Sequence, residues 1–221
     1  MISTENNLHE ILMELSEYVT DVDAELSRRA IRAIGNIAMR LPNVSSNIIR
    51  QLLDFLRLNS DYTITETLIT MKDILRKYSQ HVNDILGTIE TIIDKVQDPD
   101  GKAAVIWMMG EFGEMIPQAP YILEDFIKNL KDIQSPSITY ALLTASVKLF
   151  LKRAPEMQAM LGSLFQQIFN ESDNPDLKDR AGFYYKILRN PQLAHEIINV
   201  EKGVISDFSE ESRASAIEEI C

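Results

Sequence analysis

The residue types that do chemistry are thinly spread in this chain of 221 residues. Its three histidines, His9, His81 and His195, are the groups best suited to acid–base work or metal binding, and they lie far apart. None falls in a His-Glu-x-x-His pattern, which would set two imidazoles on one helix face for zinc. His195-Glu196 is a lone pair of neighbours and reads as a solvated helix start. Asp98-Pro99-Asp100-Gly101 looks like the opening of a calcium loop. Such a loop closes on a glutamate at its twelfth position, where this chain has Met109. The four residues read instead as a turn that starts a helix. The single cysteine, Cys221, allows no intramolecular disulfide and no thiolate cluster. No Gly-rich phosphate loop and no Gly-x-Ser-x-Gly elbow is present. The expectation is a protein that is not an enzyme and carries no cofactor or metal.

Charge narrows the partners. The net charge of −11 is unevenly placed. Residues 1–26 hold seven acids and no base, residues 201–221 hold six acids and two bases, and the residues between them are neutral. A neutral body with acidic ends cannot hold a phosphate backbone by bulk charge, so nucleic acid is not an expected partner. No apolar run reaches the ~18 residues of a membrane span, and Met1-Ile2-Ser3-Thr4-Glu5 does not open a signal peptide. The expected location is cytosolic.

The elements that must position any binding residues are helices. Apolar residues recur at helical spacing almost everywhere, and alternation of period two is nearly absent. With 8 Gly and 8 Pro the chain also lacks the turn punctuation of an all-β fold. The pattern predicts helices near 4–19, 23–40, 45–58, 62–78, 82–96, 102–115, 119–132, 137–152, 156–170, 175–188 and 192–199. Asp61, Ser135-Pro136 and Asn174-Pro175-Asp176 read as helix starts. Pro42, Ser79, Pro117, Pro155 and Pro191 fall at intervals of 37, 38, 38 and 36 residues. Apolar residues recur five positions before these stops, at Ile37, Ile74, Phe112 and Phe150, and eight before, at Ile34, Met71, Met109 and Val147. A two-helix repeat of this length predicts an all-α solenoid of the HEAT/armadillo type, filling residues 1–199 with about five helical pairs. Residues 200–221, rich in Ser and acids, read as an acidic, disordered linker.

Three features could mark a binding surface. Basic residues end the inner helix of most repeats: Arg40, Arg76, Lys77, Lys152, Arg153 and Arg189. They either complement helix dipoles or form a ridge for acidic lipid or protein, and Glu111 and Glu114 interrupt such a ridge. Phe183, Tyr184 and Tyr185, with Trp107, have the spacing of core residues. Met108, Met109 and Met115 crowd one helix, as gap fillers between stacked helices do.

Several stretches resemble the β-adaptins, the large β subunits of heterotetrameric adaptor-protein complexes. Arg29–Gly35 and Asp73–Tyr78 are similar to the middle of the β-adaptin trunk. Ala103–Glu111 resembles the family's Ile-Trp-x-x-Gly-Glu helix, with Trp107, Gly110 and Glu111 at the matching positions. Ser172–Arg180 is similar to its most distinctive stretch, through Asn174, Pro175, Asp176, Asp179 and Arg180. These eight positions are expected to be structural. Ile116–Phe126, Glu156–Gly162 and Phe183-Tyr184-Tyr185 look closest to the β subunit of the fourth adaptor complex, whereas Asn174–Leu177 is nearer the first and second.

The resemblance covers about residues 20–200 and implies the C-terminal half of a trunk, beginning within it and ending before any hinge or ear. It implies a structural subunit of a vesicle coat that sorts transmembrane cargo, with medium (mu), small (sigma) and second large adaptor subunits as partners. In the family this half of the trunk cradles the N-terminal domain of the medium subunit. An Arf-type GTPase and the membrane are implied indirectly, and clathrin through regions outside this chain. The implied location is peripheral, on Golgi or trans-Golgi network membrane and coated vesicles. Other scaffolds of the same repeat type, a nuclear transport receptor or a phosphatase scaffold, are the alternative.

Overall fold

A computed structural model describes residues 7–58, 60–133 and 135–199. These fold into eleven α-helices. In chain order they are α1 (Leu8–Val19), α2 (Ala24–Arg40), α3 (Pro42–Phe55), α4 (Asp61–Lys77), α5 (Val82–Ile92) and α6 (Pro99–Phe112). Then follow α7 (Ala119–Lys128), α8 (Pro136–Lys152), α9 (Ala154–Glu171), α10 (Pro175–Ile187) and α11 (Pro191–Ile198). Short 3-10 turns at Ser79–His81, Ile93–Lys95 and Leu130–Asp132 finish the connections. Residues 200–221, expected to be a linker, lie outside the described residues.

Most successive helices pack together, α1 on α2, α2 on α3, α3 on α4, and α6 through α11 in turn, and many also pack against the helix two further on. The even-numbered helices form one layer, α2 on α4, α4 on α6, α6 on α8 and α8 on α10. The odd-numbered helices form the other, with α3 on α5 and α7 on α9. This two-layer stack is the α-solenoid that the repeat predicts.

The repeat works because one position per period carries the core. Ile34, Met71, Met109 and Val147 are all 0% exposed, and each lies in the even layer. Burying such side chains contributes about 1.5–3 kcal/mol apiece. Five positions before the stop, Ile37 and Ile74 are buried, while Phe112 and Phe150 are half-buried against the core. The even helices therefore meet neighbours on several sides. α4 buries even Thr63, Thr65, Glu66, Thr67 and Thr70. The first helix uses Leu8 and Val19 as its buried residues and leaves Tyr18 38% exposed, so its apolar stripe is only partly covered.

Prolines set the boundaries more tightly than periodicity alone. Pro42, Pro99, Pro136, Pro175 and Pro191 each open a helix, so the stops of one helix are the starts of the next. Asp98 accepts from the Asp100 and Gly101 amides at 2.9 and 3.4 Å, so the Asp98–Gly101 turn is a helix cap. At α4 the expected start shifts by one residue. Ser60 is the N-cap and Asp61 lies in the first turn, where its charge favours the helix dipole.

Candidate partner-binding surface

The two motifs singled out in the sequence lie on α6 and α10, and both work against α8 between them. Gly110 lets α6 and α8 cross closely. A Cβ there would sit 2.4 Å from Ala145 Cα, closer than any real contact. Gly35 does the same two repeats earlier, where α2 crosses α4 and a Cβ would lie 2.2 Å from Thr70 Cγ2. Beside Gly110, the Glu111 carboxylate accepts from Lys148 Nζ at 2.6 Å, with both side chains largely buried. Its backbone carbonyl accepts from Lys152 Nζ at 2.6 Å. Trp107 is half-buried and meets Phe112 edge to face, with ring centroids 6.2 Å apart.

On the other side of α8, Asn174 caps α10 by accepting from the Leu177 amide at 3.2 Å. Tyr140 of α8 donates to the same Oδ1 at 3.4 Å. Pro175 and Asp176 occupy the first turn, and Asp179 is exposed. Arg180 places its guanidinium 4.9 Å from the centroid of the Tyr140 ring. Tyr184 and Thr144 share a hydroxyl hydrogen bond at 3.3 Å. The motif residues thus bracket α8 and join three successive repeats.

Three of the six basic helix ends, Lys77, Lys152 and Arg153, serve the preceding repeat. Lys77 Nζ and Tyr78 Oη donate to Met39 O at 2.8 and 2.9 Å, across the end of α2. Arg153 donates to the Gly113, Ile116 and Pro117 carbonyls beyond α6, at 3.2, 3.0 and 3.4 Å, and pairs with Glu156. Lys77 and Arg153 occupy the same register, two residues before the stop. Those contacts satisfy carbonyls that helix ends leave open, and they take up three of the six cations that a ridge would use.

Among the described residues, side-chain hydrogen bonds between repeats recur at separations of 34 to 41 residues, one repeat. Among them, Arg32 makes a bidentate pair with the buried Glu66 at 2.6 and 3.0 Å. Sequence reasoning missed these inter-repeat links. The recurrence of a base at one register position was their visible signal.

Two adjoining grooves follow the edge where odd helices end and even helices begin. One, of about 760 Å³, is lined by Ile93, Val96, Ile122, Phe126 and Ile138. Its neighbour, of about 440 Å³, runs past Tyr140, Ile168, Asn174 and Leu177. Ile133 and Ser135 line both. The distinctive stretch at Ser172–Leu177 therefore borders an open groove as well as capping a helix.

The remaining candidates separate. His9 and His195 are exposed on α1 and α11, and His195 lies late in its helix rather than at a solvated start. His81 is buried, with Nε2 3.0 Å from Ser45 Oγ, which itself donates to Pro42 O. Among the described residues no three His, Cys, Asp or Glu side chains gather as a metal site, and no helix is long and apolar enough to cross a membrane. The aromatic group is divided. Trp107 lies on α6 and the others on α10, and Phe183 and Tyr185 are 51% and 48% exposed rather than core. Tyr185 stacks edge-on with Phe165 and Phe169 and lies under Arg189. Met108 and Met109 are buried, whereas Met115 is 48% exposed.

Comparison with known proteins places these features in a family. Residues 1–192 match the model of the adaptin N terminal region. The chain is 35% identical over its whole length to AP-1 complex subunit beta of Dictyostelium discoideum. It is 39% identical over 95% of its length to Beta-adaptin-like protein A of Arabidopsis thaliana. Over 83% of its length it is 36% identical to AP-4 complex subunit beta-1 of Mus musculus. It covers 23%, 25% and 24% of those proteins, so it spans about a quarter of the length of the relatives it matches. With the adaptin region spanning nearly the whole solenoid, and β subunits aligned along it, the chain belongs to the adaptin family as a β-adaptin.

Proposed function

We propose that this chain is a structural piece of the β trunk of a vesicle-coat adaptor complex, acting in intracellular protein transport. The observation that carries the reading is the alignment of β subunits of AP-1 and AP-4 complexes along the solenoid. The architecture supports it, because a stack of repeats tied only to their neighbours holds partners at fixed spacing along its faces. The partners of this reading are the medium, small and second large subunits, with an Arf-type GTPase and the membrane reached through the assembled complex. The site of action is peripheral, on Golgi-derived membrane. Clathrin enters through segments outside this chain. The chain itself contributes shape and no catalysis.

Identities of 35% to an AP-1 and 36% to an AP-4 β subunit do not separate the two complexes. Our reading takes the fourth complex, on Ile116–Phe126 and Glu156–Gly162. Purification of the tagged chain from cells, followed by mass spectrometry, tests the proposal. Recovery of adaptor medium and small subunits is the expected result, and those of the fourth complex name it. Recovery of a Ran-type GTPase or a phosphatase catalytic subunit in their place contradicts it.

A further inference from the structure

We infer that residues 204–211 of this chain dock in a basic, apolar trough between α9 and α10, with Phe208 as the anchor. The trough is formed by matching faces of the two helices. On α9, Gly162, Phe165 and Phe169 follow one another at spacings of three and four. Gly182, Tyr185 and Arg189 do the same on α10 and the turn after it. Tyr185 joins the two faces, edge-on to Phe165 and Phe169 with ring centroids 5.8 and 6.4 Å apart. The Arg189 guanidinium lies 5.3 Å from the Tyr185 centroid. The two glycines leave room, since a Cβ on either would meet nothing within 4 Å. Near Gly162 the trough widens to a concavity of about 250 Å³ lined by Leu161, Phe165, Leu188 and Arg189.

The described helices do not cover this surface. Phe169 and Tyr185 are 38% and 48% exposed. α7 flanks α9 on one side, and α11 packs on α10 and α8. The 8 residues of α11 span about 12 Å, against about 27 Å for the 18 residues of α9.

Charge says what fits. From Met157 to Asn170, α9 carries no charged residue. α10 and the turn after it carry Lys178, Arg180, Lys186 and Arg189 against Asp176 and Asp179. Lys178 and Arg189 share the face of Tyr185, and Lys186 adjoins it. The surface is therefore apolar along its floor and basic along one wall.

A segment of complementary character follows on the same chain. Val204, Ile205 and Phe208 are the first bulky apolar residues after Val200. Asp207, Glu210 and Glu211 are set among and after them, with no base from Gly203 to Glu211. The nine residues from Asn199 to Phe208 reach about 30 Å when extended, which exceeds the length of about 20 Å of the 13-residue α10. The link makes the contact intramolecular, at an effective concentration of about a millimolar, so even a weak contact is populated. This docking stands whichever partners the rest of the solenoid binds.

Photo-crosslinking of the whole purified chain reads the contact. Phe208→benzoylphenylalanine keeps an aromatic anchor, and mass spectrometry maps the peptides it joins after irradiation. The expected result is cross-links within one molecule to residues 158–189. Their yield should fall several-fold with Arg189→Glu or Lys186→Glu, and in about 1 M salt, where charges are screened beyond about 3 Å. Both side chains are exposed, and unchanged circular dichroism confirms that the two variants fold. Cross-links that join two molecules would assign the trough to a second copy, and cross-links confined to other helices would leave it to another protein. Either result overturns the docking, as does a yield that both charge reversals leave unchanged.

Discussion

Single residues carry the inter-helix geometry, and their chemistry makes the effects of substitution specific. Gly110→Val should cost about 2–4 kcal/mol, because added carbon atoms meet the Ala145 backbone and force α6 from α8. Urea denaturation measures it, and a wild-type midpoint would show that the helices do not cross as described. Thr67 and Ser146 bury hydroxyls that have no hydrogen-bond partner. Thr67→Val is therefore expected to leave stability unchanged or raise it by up to about 1 kcal/mol, since the apolar methyl removes a desolvation penalty. Clear destabilisation of that variant would reveal a partner for the hydroxyl. Arg32 is the charged partner of Glu66, whose side chain is only 4% exposed. Arg32→Ala should cost about 1–3 kcal/mol, mostly by leaving the carboxylate buried without its donor. The hydrogen bonds to Glu66 raise the Arg32 guanidinium above its ordinary value. A raised cation contributes its full stabilisation below its unfolded pKa and loses it only above the folded one. Both lie far above neutrality, so the charge on Arg32 should add no slope to the stability of the wild type across about pH 6–9. A steep change in that window would place a different titrating group in the pair.

At the scale of elements, helices end where proline and a capping side chain say they should, and the links between repeats do the rest. Arg153 closes three carbonyls of the loop after α6. Arg153→Ala should weaken the chain by about 1–3 kcal/mol and speed amide exchange at the end of α6 and the start of α7. Exchange that rises evenly over all helices would contradict a local staple. The eleven helices were legible because their apolar stripes are long and their starts carry Asp98-Pro99, Ser135-Pro136 and Asn174-Pro175. The roles of the basic ends were not. A lysine at a helix C-terminus reads as complementing its own dipole, and only the stacking of repeats shows that it reaches the one before. Phe183 and Tyr185 misled for a related reason. Helical spacing gives a face, and whether that face is covered depends on the neighbour beyond it.

For the whole molecule, one period of sequence is one layer of structure. Val147 and Met109 were legible as core from their shared register, and Glu66 was not, because burial of a carboxylate depends on Arg32 one repeat away. The edge grooves were equally hidden, since they arise from how far neighbouring odd helices stand apart. Family membership came through Ala103–Glu111 and Ser172–Arg180, and the structure gives both stretches a physical task on either side of α8. The proposed role requires this stack to seat an adaptor medium subunit. Its most direct test is calorimetric titration of the purified, folded chain with purified medium subunits of the separate adaptor complexes. The expected result is saturable, one-to-one binding that favours one medium subunit, that of the fourth complex. Absence of heat with every medium subunit, while circular dichroism shows the helices intact, would contradict it.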